Sequence, residues 1–451
     1  MTLIVAVIIG LIFLLTKYLI LDKLSKIFIY LFVAWWGVWL ILSTLDVYGL
    51  FTVENSTYLL ILLALFMFVT GFVSGLSQKS IHFTEVGPMH TININQNKAY
   101  KIILIVVFLL VGYYFVRYQI LSRQVPTDQL RIIRFSVGAL FTSTEQLLFF
   151  NFFIEPFIFV LYAVIAYMII YNKMKNIVFV LSALTLFMYA GIGSGRLPII
   201  YMLMALVFMF LISKINPPIR TVEEQQTSEK MKKLLKSSIY VLIAVFPILL
   251  IYASWLTAFR MGQSAFTYDT ISLGFNELMK QFIVYFTGPF RALDYGLKNY
   301  VSEIPLLYGQ ATTAGINELV HATLHILGVE IRNINYLLGD YLQNRSILVA
   351  DGIFFNYAYT FIMIFYFDLG IIGVVLFSFL FGFFARKTIF LFNRKPTIPS
   401  LVLLIFYFLA VIFSVFSWMF QSPSAVLLLT SMTILQKIIV DRNGNTQGEE
   451  T

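Results

Sequence analysis

The chain has 451 residues, of which 60% are hydrophobic and only 12% charged, with a formal net charge of +9 and no cysteine. Soluble domains carry roughly twice that share of charge, and a mean hydropathy of +0.87 argues against an independently folding soluble enzyme. Without a thiol there is no disulfide, thiolate metal site or cysteine nucleophile, and basic residues scattered over short loops argue against a nucleic-acid surface.

A hydrocarbon core about 30 Å thick asks for about 20 apolar residues per helical crossing. Runs of that kind cover 2–21, 27–45, 58–77, 102–118, 150–171, 176–192, 198–213, 238–257, 370–386, 400–418 and 423–440. They predict an all-α, polytopic membrane helix bundle of about 11 to 12 transmembrane helices. The first run lacks the basic start of a secretory signal and reads as a retained helix entering from outside.

Alternate loops carry Lys23 and Lys26, then Lys79 and Lys98, then Lys173 and Lys175, then Lys230, Lys232, Lys233 and Lys236. By the positive-inside bias that side is cytoplasmic, and the loop with Arg386, Lys387, Arg394 and Lys395 joins it, as does Lys437. Residues 354–384 are then too long for the single crossing this requires. Phe354 to Phe367 is expected as a half-inserted or surface-lying helix of the outer leaflet, broken near Asp368-Leu369-Gly370. A full extra hairpin would give the twelfth crossing.

Residues 1–257 form the first membrane region, about eight helices, with a polar cytoplasmic linker at 214–237. Residues 258–352 form a large extracytoplasmic loop, 353–440 the second membrane region, and 441–451 a cytoplasmic tail. The long loop holds Phe282-Ile283-Val284-Tyr285-Phe286 and only scattered charge, which predicts a folded helical cap rather than disorder.

No phosphate-binding loop is present. Gly191-Ile192-Gly193-Ser194-Gly195-Arg196 is either an anion-binding turn, with backbone N–H groups and a guanidinium fork, or a tight turn with a snorkelling arginine. Arg123, Arg131, Arg134, Arg196, Arg260 and Arg291 all fall on the outer side, against the charge bias. A lipid diphosphate would give them a partner, as would Asp128, Glu145 or Asp294. Glu155 lies inside a membrane segment, where ionisable groups mark function, and an outer arginine is its expected partner. Pro156 after it can open the helix and free a carbonyl. In the cap, Glu318, His321 and His325 share a helical face, readable as a zinc site, a histidine base or a solvated face.

The stretch Asp351-Gly352-Ile353-Phe354-Phe355-Asn356-Tyr357-Ala358-Tyr359-Thr360, followed by Tyr366-Phe367-Asp368-Leu369-Gly370-Ile371-Ile372-Gly373, resembles the Wzy-type oligosaccharide repeat-unit polymerases, the O-antigen polymerase family. Members often show Asn-x-x-x-Thr and then Asp-Phe-Gly-x-x-Gly, and residues 191–198 are similar to their Gly-Ser-Arg-Gly turn. Here Gly195 and Arg196 stand in swapped order and Leu369 replaces the common Phe.

The resemblance implies a bacterial cytoplasmic-membrane glycosyltransferase. It would join undecaprenyl-diphosphate-linked oligosaccharides on the outer face, with no cofactor, alongside a chain-length regulator and a flippase. A flippase for the same lipids, or a related ligase, is the alternative. Phosphate and sugar binding would fall to Arg123, Arg131, Arg196, Arg260, Arg291, Asn356 and Tyr357. His321, His325, Asp340, Asp351, Asp368 and Glu155 compete for the base or acceptor-orienting role, with helix capping the plainer reading of Asp368.

If Arg196 holds the diphosphate with its planar fork, Arg196→Lys should lower polymerisation and Arg196→Ala should lower it further. A charge-assisted contact of about 3 kcal/mol gives on the order of a hundredfold. A normally inserted Arg196→Ala protein that polymerises at the wild-type rate would leave only the turn.

Overall fold

The computed structural model describes residues 2–20, 22–45, 47–75, 98–125, 137–171, 174, 176–193, 197–215, 250–251, 254–255, 257–258, 263, 266–329, 331–342, 345–356 and 359–448. The chain begins with α1 (Thr2–Leu19), α2 (Lys23–Ser43), α3 (Asn55–Ser74), α4 (Lys98–Gln124) and α5 (Thr144–Phe149). A π-helical turn, Phe150–Ile154, leads into α6 (Glu155–Ile170), followed by α7 (Ile177–Gly193) and α8 (Leu197–Ile215). Then come α9 (Tyr268–Asn299), α10 (Ala314–Ile326), α11 (Ile334–Leu342), β1 (Ser346–Ala350) and β2 (Ile353–Asn356). The last elements are α12 (Phe361–Arg394), α13 (Ile398–Phe413), the short 3-10 turn Met419–Gln421 and α14 (Pro423–Gly448).

Among the described residues seven helical segments are long and apolar enough to cross a membrane, with α5 to α6 as one of them. Three shorter apolar helices there, Ile177–Ile192, Ile398–Phe413 and Pro423–Ile439, join them. Leu3, Ile4 and Leu11 on α1 and Ile102, Ile105 and Leu109 on α4 stand exposed, as lipid-facing side chains do. At the centre, α6 and α13 are buried almost all round, which is why neither sequence shows a polar face. The chain is therefore a multi-pass membrane protein of helix-bundle class. The expected crossing at 238–257 and the linker at 214–237 lie almost wholly outside the described residues.

The most intimate helix pair is α3 with α12. A Cβ on Gly71 would overlap the Phe379 carbonyl, and one on Gly382 would overlap the Phe68 carbonyl. Helices in lipid gain association from such close backbone approach, because apolar side chains there gain nothing over lipid. At one end of this pair Arg386 forms a buried 2.6 Å ion pair with Asp22, whose other oxygen caps α2 by accepting the Ser25 N–H.

The all-α class holds, with one small addition and one correction. β1 and β2 form an antiparallel hairpin across Asp351–Gly352, and Phe51 donates to the Val349 carbonyl at 2.8 Å. Phe354 therefore sits in a strand, and the helix assigned to Phe354–Phe367 starts only at Phe361. Ladder bonds to β1 hold residues 353–356 extended where apolar content alone suggested helix.

The expected break is present. Inside α12, Leu369 (φ −142°, ψ 24°) and Gly370 (φ 61°, ψ −140°) leave helical geometry, and the positive φ is one that glycine adopts without strain. The break frees the Phe367 and Asp368 carbonyls, which accept N–H bonds from Leu307 (2.9 Å) and Tyr308 (3.0 Å) of the cap. The Asp368 carboxylate, fully buried, then accepts from the Ala311 (2.8 Å) and Thr312 (2.7 Å) amides. Four cap amides thus dock on one broken helix. This favours the capping reading of Asp368 over the base, because its carboxylate is fully buried against cap backbone and away from the cavity described below.

Asp368→Asn keeps one acceptor oxygen and loses the charge, so it should cost about 2 kcal/mol of stability. Thermal unfolding of the detergent-solubilised protein tests this. A loss of activity with an unchanged unfolding midpoint would mean that Asp368 acts chemically rather than as a clamp.

Candidate functional site

Where the cap meets the bundle lies a cavity of about 760 Å³. Its walls come from α6 (Glu155, Phe159, Tyr162), α7 (Tyr189) and α8 (Leu197, Tyr201) on the bundle side, and from Glu318 on α10 and Asn335 on α11 on the cap side. Residues 416–419 and 421–425, from the irregular stretch after α13 into the first turn of α14, line it as well. Non-helical backbone within a membrane bundle is tolerated where protein or a cavity surrounds it. The end of α13 that precedes this stretch is secured from α2: Trp35 Nε1 donates to the Ile412 carbonyl (2.9 Å) and Trp36 Nε1 to Ser414 Oγ (3.0 Å).

Glu155 reaches the cavity because of the proline after it. Pro156 has no N–H to give to the preceding turn, and the helix widens there into the π-turn Phe150–Ile154, with the Glu155 N–H bonded to the Phe150 carbonyl. The expected opening at Pro156 is thus present. Among the described residues no arginine meets it: Glu155 Oε2 accepts from Ser424 Oγ at 2.8 Å and Oε1 accepts a longer bond from the Tyr189 hydroxyl at 3.4 Å. Ser422 Oγ in turn lies 2.5 Å from Ser424 Oγ. A carboxylate offers about four lone-pair sites, so Glu155 keeps acceptor capacity for a ligand.

Glu318 faces the same cavity from the cap. Asn335 Nδ2 donates to Glu318 Oε2 (2.5 Å) and to the Gln421 carbonyl (2.8 Å), fixing α10, α11 and the 3-10 turn together. Burial pushes the Glu318 carboxyl above the ordinary carboxylate range, with the Asn335 bond and the nearby His321 acting the other way. Glu155 and Glu318 thus line one space from opposite sides. Phe159, Tyr162, Tyr201, Phe416 and Trp418 supply aromatic surface. Among the described lining residues there is no Lys, Arg or His.

The other sequence candidates lie elsewhere. Arg291 is buried in α9, donating to the carbonyls of Phe51 (2.8 Å), Thr287 (3.2 Å) and Ser43 (3.4 Å), so it ties the cap to the α2–α3 connection rather than meeting a diphosphate. Asp294, one of the acids offered as a partner for the outer arginines, takes Lys298 (2.7 Å) and Thr57 (2.6 Å). Arg123 is exposed near the end of α4. His321 and His325 stack with ring centres 5.9 Å apart on α10, outside the cavity lining. Asp340 is exposed on α11 and Asp351 in the hairpin turn. Asn356 ends β2. Tyr357, Arg131, Arg134, Arg196 and Arg260 lie outside the described residues. Glu318 is turned to Asn335 rather than to the two imidazoles. Among the described residues no group of three or more His, Asp or Glu side chains is placed to hold a metal ion.

Glu318 as a half-buried acid paired with Asn335, and the lining role of 416–419 and 421–425, were not read from the sequence. Asn333-Ile334-Asn335 and Ser422-Pro423-Ser424 are the polar marks that could have pointed there. Searches of protein-family models, of curated proteins and of solved structures gave no match. The site therefore stands on its own geometry.

Folded Glu318 holds its proton more tightly than the unfolded chain does, so the wild type loses stability as pH rises through the carboxylate range and beyond. Glu318→Gln mimics the protonated acid. It should unfold like the wild type near about pH 4 and be the more stable of the two near about pH 8. Thermal unfolding at both pH values checks this, and a variant less stable than wild type at the higher pH would mean that the ionised carboxylate holds the cap in place.

Proposed function

We propose that the chain is a membrane glycosyltransferase that polymerises undecaprenyl-diphosphate-linked oligosaccharide repeat units into a cell-surface polysaccharide. On this reading it crosses the bacterial cytoplasmic membrane about 11 to 12 times, with the cap and cavity on the outer face. The observation that carries the proposal is the cavity between bundle and cap, where Glu155 is half-buried beside aromatic side chains and keeps acceptor capacity. The sequence resemblance at 351–373 points the same way.

In the reaction an acceptor sugar hydroxyl attacks the anomeric carbon of the donor. The bond from that carbon to the diphosphate oxygen breaks, its electron pair leaving on undecaprenyl diphosphate, and the hydroxyl proton passes to a base. Glu155 suits that role, since Ser424 orients one oxygen while the other has only a long bond to Tyr189. Glu318, held by Asn335, suits the orientation of a neighbouring hydroxyl. The energy comes from the donor's own diphosphate linkage.

Purified protein mixed with a synthetic lipid-diphosphate repeat unit should give a ladder of longer glycans, with one undecaprenyl diphosphate released per link. Glu155→Gln should slow the ladder by on the order of a hundredfold or more. Movement of the unit across vesicles without lengthening would replace this reading with a flippase. Transfer only to an acceptor that is not lipid-linked would replace it with a ligase.

A further inference from the structure

We infer that the cavity is the seat of the acceptor and takes an uncharged saccharide terminus, with the donor's diphosphate bound outside its described walls; this rests on the glycosyltransferase reading. Two carboxylates face the space, and no described lining residue carries positive charge. An anionic group brought here would leave water, meet like charge and find no ion-pair partner on those walls, and each of these opposes binding. A neutral sugar meets none of these penalties.

The hydrogen bonds around the two acids give a second argument. The Ser424 and Tyr189 hydroxyls are already given to Glu155, and both Asn335 Nδ2 bonds go to Glu318 and to the Gln421 carbonyl. What remains on these groups is chiefly acceptor capacity: the open lone pairs of Glu155, Glu318 Oε1 and Asn335 Oδ1. Sugar hydroxyls bring donors to such a wall. Phosphate and uronate groups bring only further acceptors. Tyr162 and Tyr201, with ring centres 5.8 Å apart, and Trp418 supply apolar faces for the C–H surface of a pyranose. The volume of about 760 Å³ lies within the range of small-molecule sites.

The test uses matched pairs of ligands, so that the identity of the sugar does not decide it. Neutral hexose oligosaccharides and the same compounds oxidised at C6 to uronates are bound to the purified full chain in detergent by equilibrium dialysis, with inorganic pyrophosphate as competitor. The best neutral member should bind at least about tenfold more tightly than its uronate, and pyrophosphate should not displace it. Glu155→Gln and Glu318→Gln, each checked for folding by thermal unfolding, should shrink that ratio by strengthening uronate binding. A gain of binding is a result that a misfolded variant cannot imitate.

Equal or tighter binding of uronates, a ratio untouched by both substitutions, or displacement by pyrophosphate would overturn the inference. So would a panel in which no neutral saccharide binds. Glycan ladders from a protein without charge preference would sink this inference and keep the proposed activity. Charge-selective binding without any elongation would overturn the acceptor role together with the polymerase reading.

Discussion

Backbone groups set free inside an apolar bundle must find partners, and this constraint organises the whole molecule. At the break in α12 and at the end of α13, another element supplies what the opening lacks. The break at Leu369–Gly370 frees carbonyls that Leu307 and Tyr308 fill, and Asp368 adds two more acceptors for Ala311 and Thr312. The end of α13 draws on Trp35 and Trp36. The cap is therefore bound to the bundle by directional bonds at helix defects, and hydrophobic contact adds to a geometry already set.

The cavity follows from the same rule. A continuous helix through 414–422 and a regular turn before Pro156 would satisfy their own backbones and leave no reason for an opening. The π-turn and the irregular floor instead turn Glu155, Ser422 and Ser424 toward one space. Two acids sharing that space, one of them raised toward neutrality by burial, do not favour the folded state. Conserving volume with Leu or Gln would hold the bundle together more easily. Their presence is best explained by what they do to a ligand, which is the physical ground for treating this junction as the working part of the protein.

Much of the bundle was legible because lipid imposes a simple rule. Apolar runs of span length located the helices, and Asp368-Leu369-Gly370 and Pro156 marked both defects before any coordinates. The hairpin was legible too, since Asp351-Gly352 between Ile347-Leu348-Val349 and Ile353-Phe354-Phe355 is a strong turn signal. Its apolar flanks drew a helical reading instead. The site was harder. Glu318 and Asn335 are 17 positions apart and Ser424 lies 269 positions from Glu155, and spacing along one helix says nothing about such meetings. Arg291 misled for the same reason: its three carbonyl partners, of which Phe51 and Ser43 come from the α2–α3 connection, turn an outer cation into an internal tie.

Trp418 belongs to both halves of this account. Its indole nitrogen donates to the Thr312 carbonyl in the clamped cap loop, and its ring stands among Phe361, Phe365, Phe381 and Phe420 while forming part of the cavity wall. Among the described lining residues it is the single tryptophan, and Trp35, Trp36 and Trp39 lie in α2. Filling of the cavity and lifting of the cap thus converge on one chromophore. The polypeptide carries an intrinsic optical gauge at the seam between its bundle and its cap.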